Sequence, residues 1–332
     1  MVTLRPVDRF FLFFGLMLLA HSALTQVTLD GTLGPAGPLS GPNYAIPAEV
    51  GQQHGGNLFH SFGQFSIHAE ESATFSGPNS VSNIIGRVTG GQVSTIDGLL
   101  RSTIPGANLY LLNPAGLLFG PNATLDVSGS FHASTADYLR LGEGGRFEAL
   151  TPGNSVLTVA PVEAFGFLGD APGQLTIQDS FLRFREGQTL SLIGGDLTLH
   201  NTTLYAPAGR IDLAAVSSAG DVLPTATGLE VNGVTQRGDL HITRDPTAAL
   251  PEIDGRPVED VDASGRGGGA IVIRAGNMQA EGVMLSTDTR GDQPGGGIDI
   301  ALTGDLTITR SGQIHSNAFG SGNAGNVTIS AD

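Results

Sequence analysis

Apolar residues recur along this chain at every second position, in pairs that repeat at nearly constant intervals. Leu190/Leu192 returns as Ile211/Leu213, and Leu175/Ile177 returns as Leu197/Leu199 at almost the same interval, each pair split by one residue. A period of two marks half-buried strands rather than helices, and a constant spacing between them marks stacked coils. The pattern therefore predicts an all-β chain built as a parallel β-helix, with Leu, Ile and Val filling a dry column and Thr, Asp, Ser and Arg facing water. The strand Ala270-Ile271-Val272-Ile273 is echoed by Gly297-Ile298-Asp299-Ile300 and Asn326-Val327-Thr328-Ile329, with a second strand at Leu306/Ile308 between the last two. The interval from Ile271 to Ile298 and on to Val327 is longer than that of the earlier pairs, as expected of coils that carry a Gly-rich loop. About 300 mature residues at roughly 22 to 28 per coil predict about a dozen coils and a rod of about 55 Å. The general preference for right-handed crossovers between parallel strands makes the helix right-handed. A β-sandwich is the structural alternative. It would want hairpin turns, and only Val231-Asn232-Gly233 offers one of the favoured type.

Residues 107–135 read as strand, turn, strand, turn, strand. In Asn113-Pro114-Ala115-Gly116 the Asn side chain can cap the turn it opens, Pro114 pre-sets φ at the second position, and Gly116 stands fourth. Gly120-Pro121-Asn122-Ala123 repeats the device after one short strand, and Leu117/Phe119 and Leu125/Val127 alternate on either side of it.

These residues resemble the secretion domain at the N-terminus of filamentous-haemagglutinin-type exoproteins, the passengers of two-partner secretion, whose hallmark is an Asn-Pro-Asn-Gly turn. Asn113, Pro114 and Gly116 match, whereas Ala115 departs at the third position. Upstream, Asn57 and Phe59 in GNLFHSF, Asn83, Arg87, Gly90 and Gly91 in NIIGRVTGG, and Asp97 and Gly98 in IDG follow the same domain in order and spacing. The resemblance covers residues 26–160. It implies a β-helical export domain read by an outer-membrane pore with periplasmic polypeptide-binding domains, and a mature protein that is secreted or held at the cell surface. The expected site is a secretion motif made of Asn113, Pro114, Gly116, Gly120, Pro121 and Asn122.

Residues 1–25 read as a signal peptide: Arg5 and Arg9 precede the apolar run from Phe10 to Ala20, and small residues follow. Cleavage after Ser22 satisfies a small-x-small rule, while cleavage after Thr25 would begin the mature chain at Gln26. Residues 31–56, rich in Gly, Pro and Ser, are expected to cap the open N-terminal end of the column. Residues 161–219 continue the coils. Residues 220–268 hold Pro224, Pro246, Pro251 and Pro257 with acids at Glu252, Asp254, Glu259, Asp260 and Asp262, and are expected to form an irregular extrusion loop. Residues 269–332 return to the repeat and stop inside it, so a longer natural polypeptide is expected.

Composition narrows the function. The chain has 49 Gly, no Trp, no Cys, 14% charged residues and a formal net charge of -15, with 16 basic residues dispersed along it. Phosphate binding needs clustered positive charge, so nucleic acid is not an expected partner. Zero Cys suits a chain that must pass a pore unfolded, because a disulfide would forbid the extended state. Candidate chemistry is thin and no cofactor is expected. Asp126, Asp137, Asp179 and Asp196, with Arg140 or Arg183, are the carboxylates a β-helical polysaccharide lyase or hydrolase would need, but Asp at a coil corner ordinarily caps a turn. His54, His60, His68 and His132 have no metal-ligand spacing. The expectation is a non-enzymatic adhesin or surface-layer-like exoprotein that meets surface polysaccharide or a cell receptor, with the polysaccharide enzyme as the alternative.

Overall fold

The computed structural model describes residues 26–331, so the signal-segment reading lies outside the described residues. A column of parallel strands forms the body. Its main sheet runs from Asn57–Phe65 through Asn83–Val88, Asn108–Leu112, Phe131–Ser134, Thr189–Gly194, Arg210–Ala215, Ala270–Ala275 and Gly297–Leu302 to Val327–Ser330, each strand bonded in parallel to the next. A second parallel sheet runs from Ser94–Ile96 to Leu306–Thr309. The third side is shared by two shorter parallel sheets, one from Asn43–Pro47 to Thr124–Asp126 and one from Phe181–Arg183 to Gln313–His315. The chain is a parallel β-helix.

The repeat read from the sequence sets the register directly. Leu190 pairs with Ile211 and Leu192 with Leu213, while Leu175 pairs with Leu197 and Ile177 with Leu199. These side chains, with Phe62, Phe75, Phe119 and Phe131, make one dry core. Each fully buried Leu, Ile or Phe contributes about 1.5–3 kcal/mol. Turns at the corners are ordered by capping ladders. Asp196 accepts from the amide of Asp239 (2.9 Å), Asp239 accepts from the amide of Asn277 (2.9 Å), and Asn277 accepts from the amide of Asp305 (2.9 Å).

Three expectations need correction. The column has fewer rungs than a dozen: eight steps of about 4.8 Å separate the first and last parallel strands of the main sheet, about 40 Å. The missing rungs went into a separate antiparallel sheet, made by Tyr138–Leu141, Gly145–Glu148, Val162–Phe167, Gly220–Pro224 and Leu229–Asn232. This sheet lies on the outside of the main sheet and buries a second apolar cluster, in which Leu139, Phe147, Phe165, Val222 and Leu229 cover Phe59, Ile85, Tyr110, Leu112 and Ile193. Residues 220–268 are not one irregular loop either. They hold the last two strands of that sheet, then the coil strand Leu240–Thr243, then an excursion with the short hairpin Glu252–Ile253/Arg256–Pro257, then the coil strand Val261–Asp262. Asn232-Gly233 does not turn the hairpin. The turn falls earlier, at Thr225 to Gly228, because Leu229 and Val231 must pair back onto Pro224 and Val222 to complete the cover.

The N-terminal cap is a short antiparallel pair, Val27–Asp30 with Ala36–Pro38, laid on the edge strand Asn57–Phe65. It covers the outer edge of that strand from Phe62 to Phe65, while Gln52–His54 covers Asn57 to Phe59, so the edge is not open to another chain. The cap expected over residues 31–56 needs correction as well, because Asn43–Pro47 within it is a coil strand.

Candidate functional site

The Asn113 turn has the geometry its sequence predicts. Gly116 donates its amide to the Asn113 carbonyl (3.0 Å), and the Asn113 Oδ1 accepts from the Ala115 amide (3.0 Å). Gly116 adopts φ of 125°, a value side chains rarely tolerate. Asn113 itself is fully buried and its Nδ2 donates to the Gln92 carbonyl (2.8 Å) and to Ser94 Oγ (2.9 Å). The side chain therefore caps its own turn and also holds the preceding coil. Gly120-Pro121-Asn122-Ala123 closes in the same way, with Ala123 donating to the Gly120 carbonyl (3.0 Å). There Asp97 accepts from the Asn122 amide (2.8 Å) and from its side chain, so Asp97 caps the turn one coil ahead.

Most of the other family-like positions are supports, while Gly90 and Gly91 stand exposed in a bend. Asn57, Asn83 and Asn108 stand in register on successive coils and form a ladder: Asn108 donates to Asn83 (3.1 Å) and Asn83 to Asn57 (2.9 Å). Asn57 in turn donates to the carbonyls of Thr158 (3.1 Å) and Ala160 (2.7 Å), tying the antiparallel segment to the column. Phe59 packs on Phe147 at 5.0 Å between ring centres. Gly90 lies so close to the Gly63 carbonyl that a Cβ would sit 1.9 Å from it. Gly91 follows it in the same bend, and Gly98 and Gly120 abut the coils on either side of them.

Arg87 is the largest fully buried side chain in the chain's described part. It does not touch Asp30 directly. Its Nε donates to Ser61 Oγ (2.7 Å) and its Nη2 to Thr32 Oγ1 (2.9 Å), and both hydroxyls donate onward to Asp30, at 2.6 and 2.8 Å. The result is a charge pair between the buried Arg87 and the half-buried Asp30, bridged by two hydroxyls. Burial alone would raise the Asp30 carboxyl, but hydrogen bonds from Ser61, Thr32 and Thr89 outweigh it and hold the group below its ordinary value. Burial pulls the Arg87 guanidinium down to about 10, against the opposing charges of Asp30 and Glu148. Its Nη1 reaches across to the Glu148 carbonyl (2.5 Å) and Ser155 Oγ (2.6 Å), and its guanidinium lies 4.3 Å from the Phe147 ring centre. Sequence reasoning found Arg87, and the stretch that holds Ser61, by resemblance but missed Asp30 and Thr32, which carry no signal of their own.

A cleft of about 370 Å³ opens beside the turn, lined by Val88, Asn113, Pro114, Ala115, Asp137 and Leu150 among others. Asp137 accepts from the Leu168 amide (2.6 Å), and burial raises its carboxyl above the ordinary value. The enzyme-type candidates are not brought together. Asp126 pairs with Arg101 (3.0 Å), Arg140 with Asp221 (2.7 Å), Asp179 accepts from Asn201 in a turn at φ 53°, and Asp196 starts the corner ladder. Asp126 and Arg183 alone share a cleft, on the outer sheet. Of the histidines, His60 and His132 are buried in packed ring clusters, and no group of three acids or histidines among the described residues can hold a metal.

The model of the TPS secretion domain family matches residues 25–239. A stretch of 81 residues is 36% identical to the heme/hemopexin-binding protein of Haemophilus influenzae; it is 24% of this chain and 8% of that protein. Among solved structures, the HMW1 secretion domain from Haemophilus influenzae is similar at a TM-score of 0.45 and 17% identity, over 86% of this chain and 70% of that one. A filamentous hemagglutinin secretion domain is similar at 0.39 and 14%, over 93% and 98%.

Proposed function

The chain belongs to the TPS secretion domain family, and from that premise we propose that an outer-membrane pore recognises it through its periplasmic polypeptide-binding domains, and that the protein then works outside the cell as a non-enzymatic adhesin or surface-layer-like exoprotein. The family match over residues 25–239 carries this reading. The absence of cysteine supports the route, since the chain must stay extended to thread a pore. The pore's soluble domains read an extended segment of residues 26–160 by strand addition, using backbone groups and alternate side chains. Asn113, Pro114 and Gly116 act in this view by fixing the turn once the chain folds outside. Sec-type export through the signal segment of residues 1–25 completes the route. What the heme/hemopexin-binding relative takes up is not carried over, because the shared stretch is 8% of it.

The test uses a lock on the coils. Asn43 and Ser72 are register partners whose side chains meet at 2.8 Å near the surface, so Asn43→Cys/Ser72→Cys can close a disulfide between two coils. Secretion of the oxidised double variant through the pore should fall sharply and recover when the periplasm is kept reducing. Undiminished secretion of the oxidised form would overturn the unfolded-passage reading.

A further inference from the structure

Two clefts of about 320 and 560 Å³ share Tyr205, Ile253 and Asp254 and so form one groove on the outside of the column, under the hairpin Glu252–Ile253/Arg256–Pro257. The groove's floor is a row set by strand register. Arg183 pairs with Tyr205 and Tyr205 with Asp262 on successive coils, about 4.8 Å apart. Their neighbours Leu182, Leu204 and Val261 fill the core, so alternation turns the three row residues away from it: Arg183 is exposed and Tyr205 half-buried, while Asp262 is fully buried and accepts from the Ser264 amide (2.7 Å). Arg185, Arg256 and Arg290 join Arg183 along the walls. In a chain of net charge -15 whose 16 basic residues are all arginines, the convergence of four on one groove is not the dispersal seen elsewhere. Arg183 and Arg256 form no ion pair among the described residues, Arg290 stands 4.0 Å from Asp288, and Arg185 stands 3.8 Å from Asp126. The forks of Arg183 and Arg256 are open to a ligand, and those of Arg185 and Arg290 are held only by acids at the limit of ion-pair distance.

We propose that this groove binds an acidic polysaccharide of the polyuronate type, laid along the coil stack. Guanidinium forks take sugar carboxylates in paired hydrogen bonds, the half-buried Tyr205 ring offers a face to a sugar ring, and Asp254 accepts from hydroxyls. An acidic peptide would satisfy the arginines as well, and both ligands meet repulsion from Asp126, Glu186 and Asp254, but only the polyuronate brings sugar hydroxyls that those acids can accept from. The inference is independent of the export reading, because binding is measured on purified protein.

Calorimetry on the purified mature chain would use polygalacturonate, neutral dextran and polyglutamate as probes. Polygalacturonate should bind the parent and the Arg310→Ala control, whose arginine pairs with Glu281 outside the groove. Arg183→Ala/Arg256→Ala and Tyr205→Ala should each bind about tenfold or more weakly, from lost charge-assisted bonds and lost stacking, while Tyr205→Phe binds as the parent does. Dextran should not bind. Failure of the parent to bind polygalacturonate overturns the proposal, as does parent-like binding by the double arginine variant. Equal affinity for polyglutamate assigns the groove to acidic peptide instead. Should Tyr205→Ala melt early, the surface arginine pair still decides the matter.

Discussion

Asn113 shows how much one amide can hold at the residue scale. It satisfies the Ala115 amide, the Gln92 carbonyl and Ser94 from a fully buried position, so replacing it leaves several buried polar groups without partners. Asn113→Ala should cost on the order of 2–3 kcal/mol, more than a surface turn cap would. Chemical denaturation checks the figure. If the variant melts as the parent does yet is no longer secreted, Asn113 is a recognition contact and not a structural one. The matching of Asn113, Pro114 and Gly116 was legible because each residue type has a fixed role in a type I turn. Asp30 was not, since a lone Asp before Gly reads only as a turn residue, and its link to Arg87 through two hydroxyls joins strands far apart in the chain.

Strand by strand, the inner face was readable and the outer face was misjudged. Leu190/Leu192 over Ile211/Leu213 follows from alternation alone. The antiparallel cover was hidden because its strands pair across long separations, Phe165 with Val222 among them. A signal did exist: the strands of the main sheet carry apolar residues at outward positions, Phe59, Ile85, Tyr110 and Ile193, and a strand buried on both faces loses its alternation. Such a column of outward apolar residues demands a cover. Phe165→Ala, which empties that layer without touching the inner core, should therefore destabilise the domain by about 3–5 kcal/mol. A change below about 1 kcal/mol in urea unfolding would mean that the cover is only loosely docked.

For the whole molecule, acid is the revealing stress. Burial pushes His60 down to about 4, and both ring nitrogens are without partners; burial, helped by the charge of Arg210, pushes His132 down to about 3. Unfolded histidine titrates near 6.5, so the unfolded chain takes up protons that the folded chain refuses. Stability is complete above pH 6.5, declines as the pH falls through 6.5 towards 4, and the loss is full below about 3. His60 alone accounts for roughly 3 kcal/mol of it. Asp137, Asp212 and Glu259 work the other way, since burial raises their carboxyls and the folded chain gains from protonating them, whereas Asp30, held below its ordinary value, adds to the loss in acid. The urea midpoint should be lower at pH 4.5 than at 7.5, and His60→Phe should narrow the gap. Equal midpoints for the parent at both values would contradict this.

The antiparallel cover also dictates an order of events. Val162–Phe167 is in place long before Gly220–Pro224 exists to pair with it, if the chain is released from its N-terminus. Until residue 224 has emerged, Phe165 and its neighbours keep a bare edge. The early coils can stack one upon another as they appear, but they remain provisional, each able to slip back. Arrival of the hairpin from Gly220 to Asn232 closes a clasp over everything wound so far, and from then on retreat means opening the clasp first. On that order of release the domain would carry its own ratchet tooth, placed some two thirds of the way along the chain, where winding would turn from reversible to committed.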